Sequence, residues 1–450
     1  MKNKTGILKS KMGRRSFIGG SLTALAAAGM TGKNTLLRAN GQTESPQTRI
    51  KEYRTLGRTG FKCSDISFGS SGVTDSAFMK AVLDSGVNYI DTAESYVRGQ
   101  VERTIGEAMK GRDRKSVFIS TKFSLGRDRS KQVLKNKALK CLERLQMDYI
   151  DCLMIHMPST VEALKTEGFH AAVQELKAEG KVRFCGLSNH GPQWGDVPET
   201  MEQVHGAAAE DGRFDVALLV YNFVQKETSE RILKTYKAKN VGTTIMKSNP
   251  VLNYDERKVE ADQAVEAGRE MSQGTKDLLA RLKARADLMD GFKTKYNLST
   301  FDEVRSAAIR FVISNPDVHC VCPTILTFDD LEFYVALSGG RLTPLESQML
   351  ADYTSVCGEF YCRHACGECE SRCPRGVPVN TIMRYNHYFF SQRREKHAMV
   401  KYASLTTQKA DICFQCAGHC QNACPYNVPI HGLLMLAHQN LSLAKSSARI

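Results

Sequence analysis

Residues 89–96 read YIDTAESY, a short apolar run that ends in an aspartate and leads into a polar loop. A similar pattern returns at residues 118–122 (FISTK) and 150–156 (IDCLMIH). Each time, a run of strand-forming residues is followed at once by a polar side chain. Strands that are apolar on both faces are typical of parallel sheets covered by helices. These three segments therefore favour an α/β fold with polar groups at the ends of its strands.

Outward from these segments, short apolar runs alternate with amphipathic stretches between residues 53 and 338. The predicted strands are 66–69, 87–90, 117–120, 150–155, 184–187, 216–220, 241–246 and 319–322. Between these strands, apolar residues recur every three to four positions, as in a helix; one such set is Val101, Ile105, Ala108 and Met109. Eight such units predict a (β/α)₈ TIM barrel. An open doubly wound sheet is the alternative, but the first strand lacks the G-x-G-x-x-G turn of a dinucleotide-binding sheet. Residues 253–295, rich in charge, are predicted to be an extra helical segment.

The composition suggests two or three domains and sets apart the C-terminal part of the chain. The chain has 450 residues, 42% of them hydrophobic, and a formal net charge of +14. Because its Lys and Arg residues are scattered, a solvated basic surface explains this charge, and no nucleic-acid partner is expected. Nine of the 15 cysteines fall between Cys357 and Cys424. Crowding of this kind implies either a metal site or disulfides.

The N-terminus has the pattern of a targeting signal. Lysines precede Arg14 and Arg15, and a short, weakly apolar stretch follows at residues 21–30. A basic region, paired arginines and a short apolar segment together predict a twin-arginine export signal with its linker over residues 1–45. The protein is therefore expected to be carried by the twin-arginine translocation machinery to a periplasmic or extracytoplasmic location. No other segment is long and apolar enough for a transmembrane helix.

Four polar residues are expected where a barrel enzyme keeps its catalytic groups, at the carboxyl ends of the strands. Asp91 ends the second predicted strand, Tyr96 follows in the next loop, and Lys122 and His156 end the third and fourth. A lysine ammonium beside a tyrosine stabilises tyrosinate and lowers a pKa that is ordinarily near 10. In this interpretation Asp91 holds the lysine in place, while His156 donates a hydrogen bond to a substrate carbonyl.

These segments resemble the aldo/keto reductase family. The resemblance is carried by residues 89–96, 120–122, 149–156 and 186–189, and it covers most of residues 53–338. It implies a reductase-like barrel over residues 46–345 that interconverts a small-molecule carbonyl and an alcohol by hydride transfer. All four positions of the family's Asp-Tyr-Lys-His set are occupied, in order and at matching elements.

The resemblance also implies a site for a nicotinamide cofactor, NAD(P). Ser188 and Asn189 match the pair that holds the nicotinamide, and Tyr221 and Lys247 complete the candidate cofactor-binding set. Lys247 matches a lysine of the family's iron-sulfur members. The chain departs from the family pattern at Leu218, where a glutamine is typical. It departs again over residues 322–330, a loop with two aspartates and no Lys or Arg.

The C-terminal cysteines form two groups with the spacing of cluster ligands. The first is Cys362, Cys366, Cys369 and Cys373, and the second is Cys413, Cys416, Cys420 and Cys424. Each group ends in Cys-Pro, as in proteins that bind [4Fe-4S] clusters. The spacing predicts two [4Fe-4S] clusters in a mainly helical, ferredoxin-like domain over residues 346–450. By resemblance to two-cluster ferredoxins, Cys424 would join the first three cysteines of the first group, and Cys373 the first three of the second.

Alternatives remain for both parts of the chain. Paired Cys-x₂-Cys units also build zinc sites, and disulfides form outside the cytoplasm. Cys357 belongs to neither group. For the whole protein, the leading hypothesis is a redox enzyme whose clusters pass single electrons to a partner protein. The alternative is an exported binding module in which the clusters only hold the C-terminal domain together.

Overall fold

The structure is a computed structural model, and it describes residues 48–189, 199–251, 273–390 and 394–442. The predicted export signal lies outside the described residues, as does the first part of the predicted helical segment at residues 253–295.

Eight strands form one parallel sheet in chain order. They are β3 (Phe68–Gly69), β4 (Tyr89–Asp91), β5 (Phe118–Phe123), β6 (Ile150–His156), β7 (Val182–Ser188), β8 (Val216–Val220), β9 (Gly242–Met246) and β10 (Cys320–Val321). The sheet closes on itself because Ser67 N donates to Val321 O and Gly69 N to Pro323 O, both at 2.8 Å. Every strand overlaps one of the predicted strands. The predicted (β/α)₈ barrel is confirmed.

Helices alternate with these strands along the chain, and most of them cover the outside of the sheet. They are α1 (Ser76–Asp84), α2 (Gln100–Met109), α3 (Lys131–Leu145), α4 (Val161–Leu164), α5 (Glu167–Ala178), α6 (Met201–Asp211), α7 (Glu227–Ala238), α8 (Gln273–Tyr296), α9 (Asp302–Ser314) and α10 (Phe328–Ala336). In α3 the buried residues recur every three to four positions and form one apolar face toward the strands. Helix α8 covers the second part of the predicted extra helical segment.

A hairpin closes the amino-terminal end of the barrel. Its strands β1 (Tyr53–Thr55) and β2 (Lys62–Ser64) pair in antiparallel fashion. Gly57, with φ +48°, lies so close to the start of β9 that a Cβ atom there would be 2.3 Å from Gly242 N. Only glycine fits this approach. The opposite end, where the strands finish, carries the polar residues.

The C-terminal part of the chain is mainly helical. Its helices are α11 (Pro344–Cys357), α12 (Val379–Phe390), α13 (Glu395–Ala403), α14 (His419–Asn422) and α15 (Ile430–Leu441). They share a second hydrophobic core with α8, α9 and three residues of barrel loops, which are Phe223 and Val224 after β8 and Val251 after β9. Within the described ranges, no helix is both long enough and apolar enough to cross a bilayer.

Candidate active site

Lys122 lies at the centre of the carboxyl end of the barrel. Its side chain is fully buried, and its Nζ lies 2.5 Å from Oδ1 of Asp91, the last residue of β4. The same ammonium donates to the carbonyl of Thr92 at 2.9 Å. A buried charge is tolerated only when it is paired and hydrogen bonded. Asp91 therefore holds Lys122 charged and in position.

Tyr96 reaches the same point from the loop after β4. A short 3₁₀ turn begins at Tyr96, and the next two residues, Val97 and Arg98, have positive φ angles of 47° and 56°. Lys122 Nζ lies 5.2 Å from the centroid of the Tyr96 ring. The ring of His156 stands nearly perpendicular to that of Tyr96, with centroids 6.3 Å apart. The structure thus brings all four sequence-predicted catalytic residues together.

The electrostatics of these groups differ from those of free side chains. Burial raises the pKa of Tyr96 to about 12, although the Lys122 charge acts in the opposite direction. Burial alone would lower the pKa of Lys122, but the Asp91 carboxylate raises it above its usual value. Burial lowers the pKa of His156 well below its usual value, and the charges of Lys122, Lys401 and Arg384 lower it further. At neutral pH the site therefore holds a phenol, an ammonium and an uncharged imidazole.

Ser188 and Asn189 lie beside this centre, at the end of β7. Ser188 Oγ is buried, and no hydrogen-bond partner exists for it among the residues that the structure describes. Asn189 Nδ2 donates to Pro158 O at 2.6 Å. Leu218 pairs in register with Ser188 on the neighbouring strand β8, and it supplies no polar group there. The orphaned serine hydroxyl is suited to bind the amide of an added group, such as a carboxamide.

The other two candidate cofactor-binding residues have partners within the chain. The Tyr221 ring packs against Phe311, with centroids 5.3 Å apart, and its hydroxyl is hydrogen bonded to Glu230 and Asn315. Lys247 Nζ lies 4.4 Å from the centroid of the Tyr388 ring, which belongs to α12. The structure thus places Tyr221 against the helical layer and Lys247 against the C-terminal domain.

The C-terminal domain also contributes side chains to this end of the barrel, which the sequence does not predict. Besides Tyr388, Arg394 Nη1 donates to Ser71 Oγ in the loop after β3 at 3.0 Å. Gln225, in the loop after β8, donates to the carbonyl of His364. The segment 384–401 is rich in aromatic and basic residues. That composition is the only signal, and it does not tell which surface the side chains face.

The eight cysteines separate into two sets of four, each lining its own cavity. One cavity is lined by Cys362, Cys366, Cys369 and Cys424, and the other by Cys373, Cys413, Cys416 and Cys420. Each set takes one cysteine from the distant group, in the pairing that resemblance to two-cluster ferredoxins implies. Cys357 lines neither cavity.

Polar groups surround these sulfur atoms. Val377 N lies 3.3 Å from Cys373 Sγ, in position to donate, and Asn380 Nδ2 lies 3.9 Å from Cys362 Sγ. Within the described ranges, no three His, Cys, Asp or Glu side chains converge closely enough to hold one metal ion. In each set the four thiols instead face a shared space, a donor set that suits a polynuclear iron–sulfur cluster.

Comparison with known proteins identifies the barrel. Residues 69–327 match the model of the Aldo/keto reductase family, which covers more than half of the chain. The chain belongs to the aldo/keto reductase family. The four candidate catalytic residues, Asp91, Tyr96, Lys122 and His156, lie inside the matched region. All eight cavity-lining cysteines lie beyond its end.

Individual members of the family are similar over part of the chain. Aldo-keto reductase YhdN of Bacillus subtilis is 27% identical over 214 residues, which are 43% of this chain and 61% of that protein. A probable voltage-gated potassium channel subunit beta of Arabidopsis thaliana is 34% identical over 215 residues, 43% of this chain and 62% of that protein. A crystal structure of an aldo-keto reductase from Klebsiella pneumoniae in complex with NADPH has a TM-score of 0.47 and 20% identity, covering 67% of this chain and 94% of that one. The chain thus spans about 61% of the length of the curated relatives named here.

Proposed function

We propose that the protein is an exported oxidoreductase that interconverts a carbonyl and an alcohol, and that two [4Fe-4S] clusters in its C-terminal domain relay the electrons. The observation that carries the proposal is the buried Lys122–Asp91 pair, 2.5 Å apart, beside the ring of Tyr96. A buried ammonium next to a phenol is what proton transfer to and from a substrate oxygen requires. Family membership supports the same assignment.

In the reducing direction, Tyr96 Oη would donate its proton to the substrate oxygen while a hydride adds to the carbonyl carbon. Lys122 would stabilise the tyrosinate that is left, because it lies close to the ring and stays charged through Asp91. His156, uncharged because of its lowered pKa, would donate a hydrogen bond that orients the carbonyl. In the reverse direction, Tyr96 would take the proton from the alcohol.

A nicotinamide cofactor, when bound, would supply or accept the hydride. Ser188 and Asn189 would hold its carboxamide, and the orphaned hydroxyl of Ser188 supports that role. Two features limit the fit: Leu218 offers no polar contact beside Ser188, and residues 322–330 contain no Lys or Arg for an adenosine phosphate. NAD, which lacks the adenosine phosphate, therefore suits the chain better than NADP.

Two [4Fe-4S] clusters would supply one-electron transfer to a partner protein. The two cysteine-lined cavities support this part of the proposal, because each presents four thiols from two separate segments. The nearby N–H groups of Val377 and Asn380 would tune the sulfur ligands. The twin-arginine pathway carries proteins that are already folded. The clusters would therefore be assembled in the cytoplasm before export.

Anaerobic purification of the full chain tests this proposal. Iron and acid-labile sulfide are counted per chain, and any bound nucleotide is identified by mass spectrometry. About eight iron and eight sulfide per chain are expected from two cubane clusters. Stoichiometric zinc without labile sulfide would reject the electron relay.

A second candidate is a binding module on the same fold, with structural clusters. Leu218 favours it, and so does the similarity to a protein described as a probable voltage-gated potassium channel subunit beta. The two candidates are separated by assaying the isolated protein with an artificial electron acceptor and with added nucleotide. Absence of both turnover and nucleotide under all conditions would favour the binding module.

A further inference from the structure

Four cations gather around Tyr388 at the carboxyl end of the barrel. We call Lys247, Arg384, Arg394 and Lys401 the basic cluster. Lys247 comes from the barrel, 4.4 Å from the Tyr388 ring, while the other three come from the C-terminal domain. Arg394 N donates to the carbonyl of Tyr388 at 3.0 Å, which holds α13 next to α12.

Glu370 is the carboxyl group that interacts electrostatically with the basic cluster, through Arg384; it accepts a hydrogen bond from Asn380 N, and burial raises its pKa. None of the cluster's four members forms an ion pair with an Asp or Glu in the parts of the chain that the structure describes. Tyr388 lies among these cations: burial raises the pKa of this phenol, but Lys247, Arg384 and Lys401 outweigh burial and lower it to about 8. Cations that are buried or half-buried without an ion-pair partner are costly. An added negative group would therefore be stabilised here.

One member of the cluster offers an unused donor. The side chain of Arg384 is only 3% exposed, yet its Nη1 has no hydrogen-bond partner among the described residues. Its Nη2 makes a long contact of 3.5 Å with Thr381 Oγ1. A buried guanidinium presents a planar set of donors that matches a carboxylate. A buried N–H donor without an acceptor is unfavourable.

The basic cluster adjoins the candidate catalytic residues. The charges of Arg384 and Lys401 reach His156, whose pKa they lower, and the charge of Arg394 interacts with Tyr96. Arg394 also contacts Ser71 in the barrel loop after β3. A small molecule whose carbonyl meets Tyr96 and His156 would place its far end among these cations.

We propose that the basic cluster recognises a carboxylate on the substrate, so that the enzyme acts on an organic acid that also carries a carbonyl or an alcohol. This inference rests on the proposed function, whose substrate class it names. Arg384 and Lys401 would bind the carboxylate, and Tyr388 would stay protonated and donate to it. The phosphate of a dinucleotide offers the same negative charge, and the experiment has to separate the two sources.

Binding of a matched pair of probes to the holoprotein tests the inference without turnover. The probes are 4-(hydroxymethyl)benzoate and its neutral counterpart 4-(hydroxymethyl)benzamide, measured by titration calorimetry. The benzoate is expected to bind at least about tenfold more tightly, because only it offers a carboxylate to the guanidinium. Arg384→Gln and Lys401→Gln should each remove most of that preference and leave the benzamide unchanged.

Lys396→Gln is the matched control, since Lys396 lies on the same helix as Lys401 but is exposed. Arg384 is buried, so thermal unfolding is recorded for every variant. The partly exposed Lys401 keeps the test decisive if Arg384→Gln does not fold.

Equal affinity for both probes, or a loss in Lys396→Gln equal to that in Lys401→Gln, would overturn the inference. So would a loss of affinity for NAD⁺ in Arg384→Gln and Lys401→Gln with unchanged benzoate binding, which would assign the cluster to the phosphates of the dinucleotide. A preference for benzoate in a protein without turnover would support the inference and reject the proposed function. Turnover without that preference would support the proposed function and reject the inference.

Discussion

At the scale of single residues, the proposed chemistry depends on a lysine that is fully buried and on the aspartate beside it. The sequence predicts this group because Asp91, Lys122 and His156 each end a strand, and strand ends meet at one end of a barrel. It does not predict Arg384 or Tyr388, because a basic, aromatic helix looks the same whether it faces solvent or a catalytic centre. Nor does it predict that Tyr221 packs against Phe311, since only the packing of the helical layer decides that orientation.

Tyr96→Phe tests the proton donor. The ring and its packing are kept and only the hydroxyl is lost, so binding of 4-(hydroxymethyl)benzoate should persist while turnover falls by about 10²–10⁴-fold. Steady-state rates with the isolated protein measure the effect. Tyr53→Phe is the control, because Tyr53 lies on the β1–β2 hairpin at the other end of the barrel, where its hydroxyl donates to Gly86 O. Unchanged turnover in Tyr96→Phe would place the chemistry elsewhere.

Lys122→Met tests how the acidity of Tyr96 is set. For alcohol oxidation Tyr96 must accept a proton, so the rate rises as the pH approaches its pKa, which is about 12 with Lys122 present. Without the ammonium, that pKa rises further, so the rising limb of the pH–rate profile should shift to higher pH and the rate at neutral pH should fall. Rates measured from neutral to alkaline pH show the shift.

The loss of Lys122 leaves Asp91 buried without its partner, which destabilises the fold independently of catalysis. The double variant Asp91→Asn/Lys122→Met removes both charges and should recover thermal stability but not activity. Lys115→Met, at an exposed position, is the control for the substitution itself. A pH profile of Lys122→Met that coincides with that of the unaltered protein would contradict the assigned role.

At the scale of elements, regular alternation makes the barrel predictable and irregular segments are missed. All eight barrel strands are recovered because each is a short apolar run bounded by polar residues. The β1–β2 hairpin is not recovered, since its strands have three residues each and alternate exposed and buried positions only weakly. The cysteine groups are predictable from spacing, and their distribution over two cavities is the one that resemblance to two-cluster ferredoxins implies.

Cys369→Ala and Cys416→Ala test the two cavities separately. Each substitution removes one thiol from a different set of four, so each variant should lose about half of the iron, sulfide and broad visible absorption. The C-terminal domain should also become less stable, because cluster binding contributes to folding. Iron analysis and absorption spectra of anaerobically purified protein measure both. Cys357→Ala serves as the control, because Cys357 lines neither cavity, and an equal loss there would contradict the assignment.

At the scale of the whole molecule, the N-terminal arginine pair determines where the protein is expected to act. Arg14→Lys with Arg15→Lys keeps the charge but removes the paired arginines that the translocation machinery reads. The double variant should accumulate in the cytoplasm with its clusters assembled, as cell fractionation and immunoblotting would show. Export equal to that of the unaltered protein would mean that residues 1–45 have another role.

Phe223 and Val224 also affect whether a barrel and a cysteine-rich domain from different proteins can be joined. Both belong to a barrel loop, yet they are buried among side chains of the cysteine-rich helices. A gene fusion that appended only residues 344–442 to another barrel would leave a void where these side chains belong, and losing a buried phenylalanine alone costs about 3–5 kcal/mol. The loop and the domain therefore pack as one unit. We expect a chimera that exchanges only one of them to be less stable than one that exchanges both.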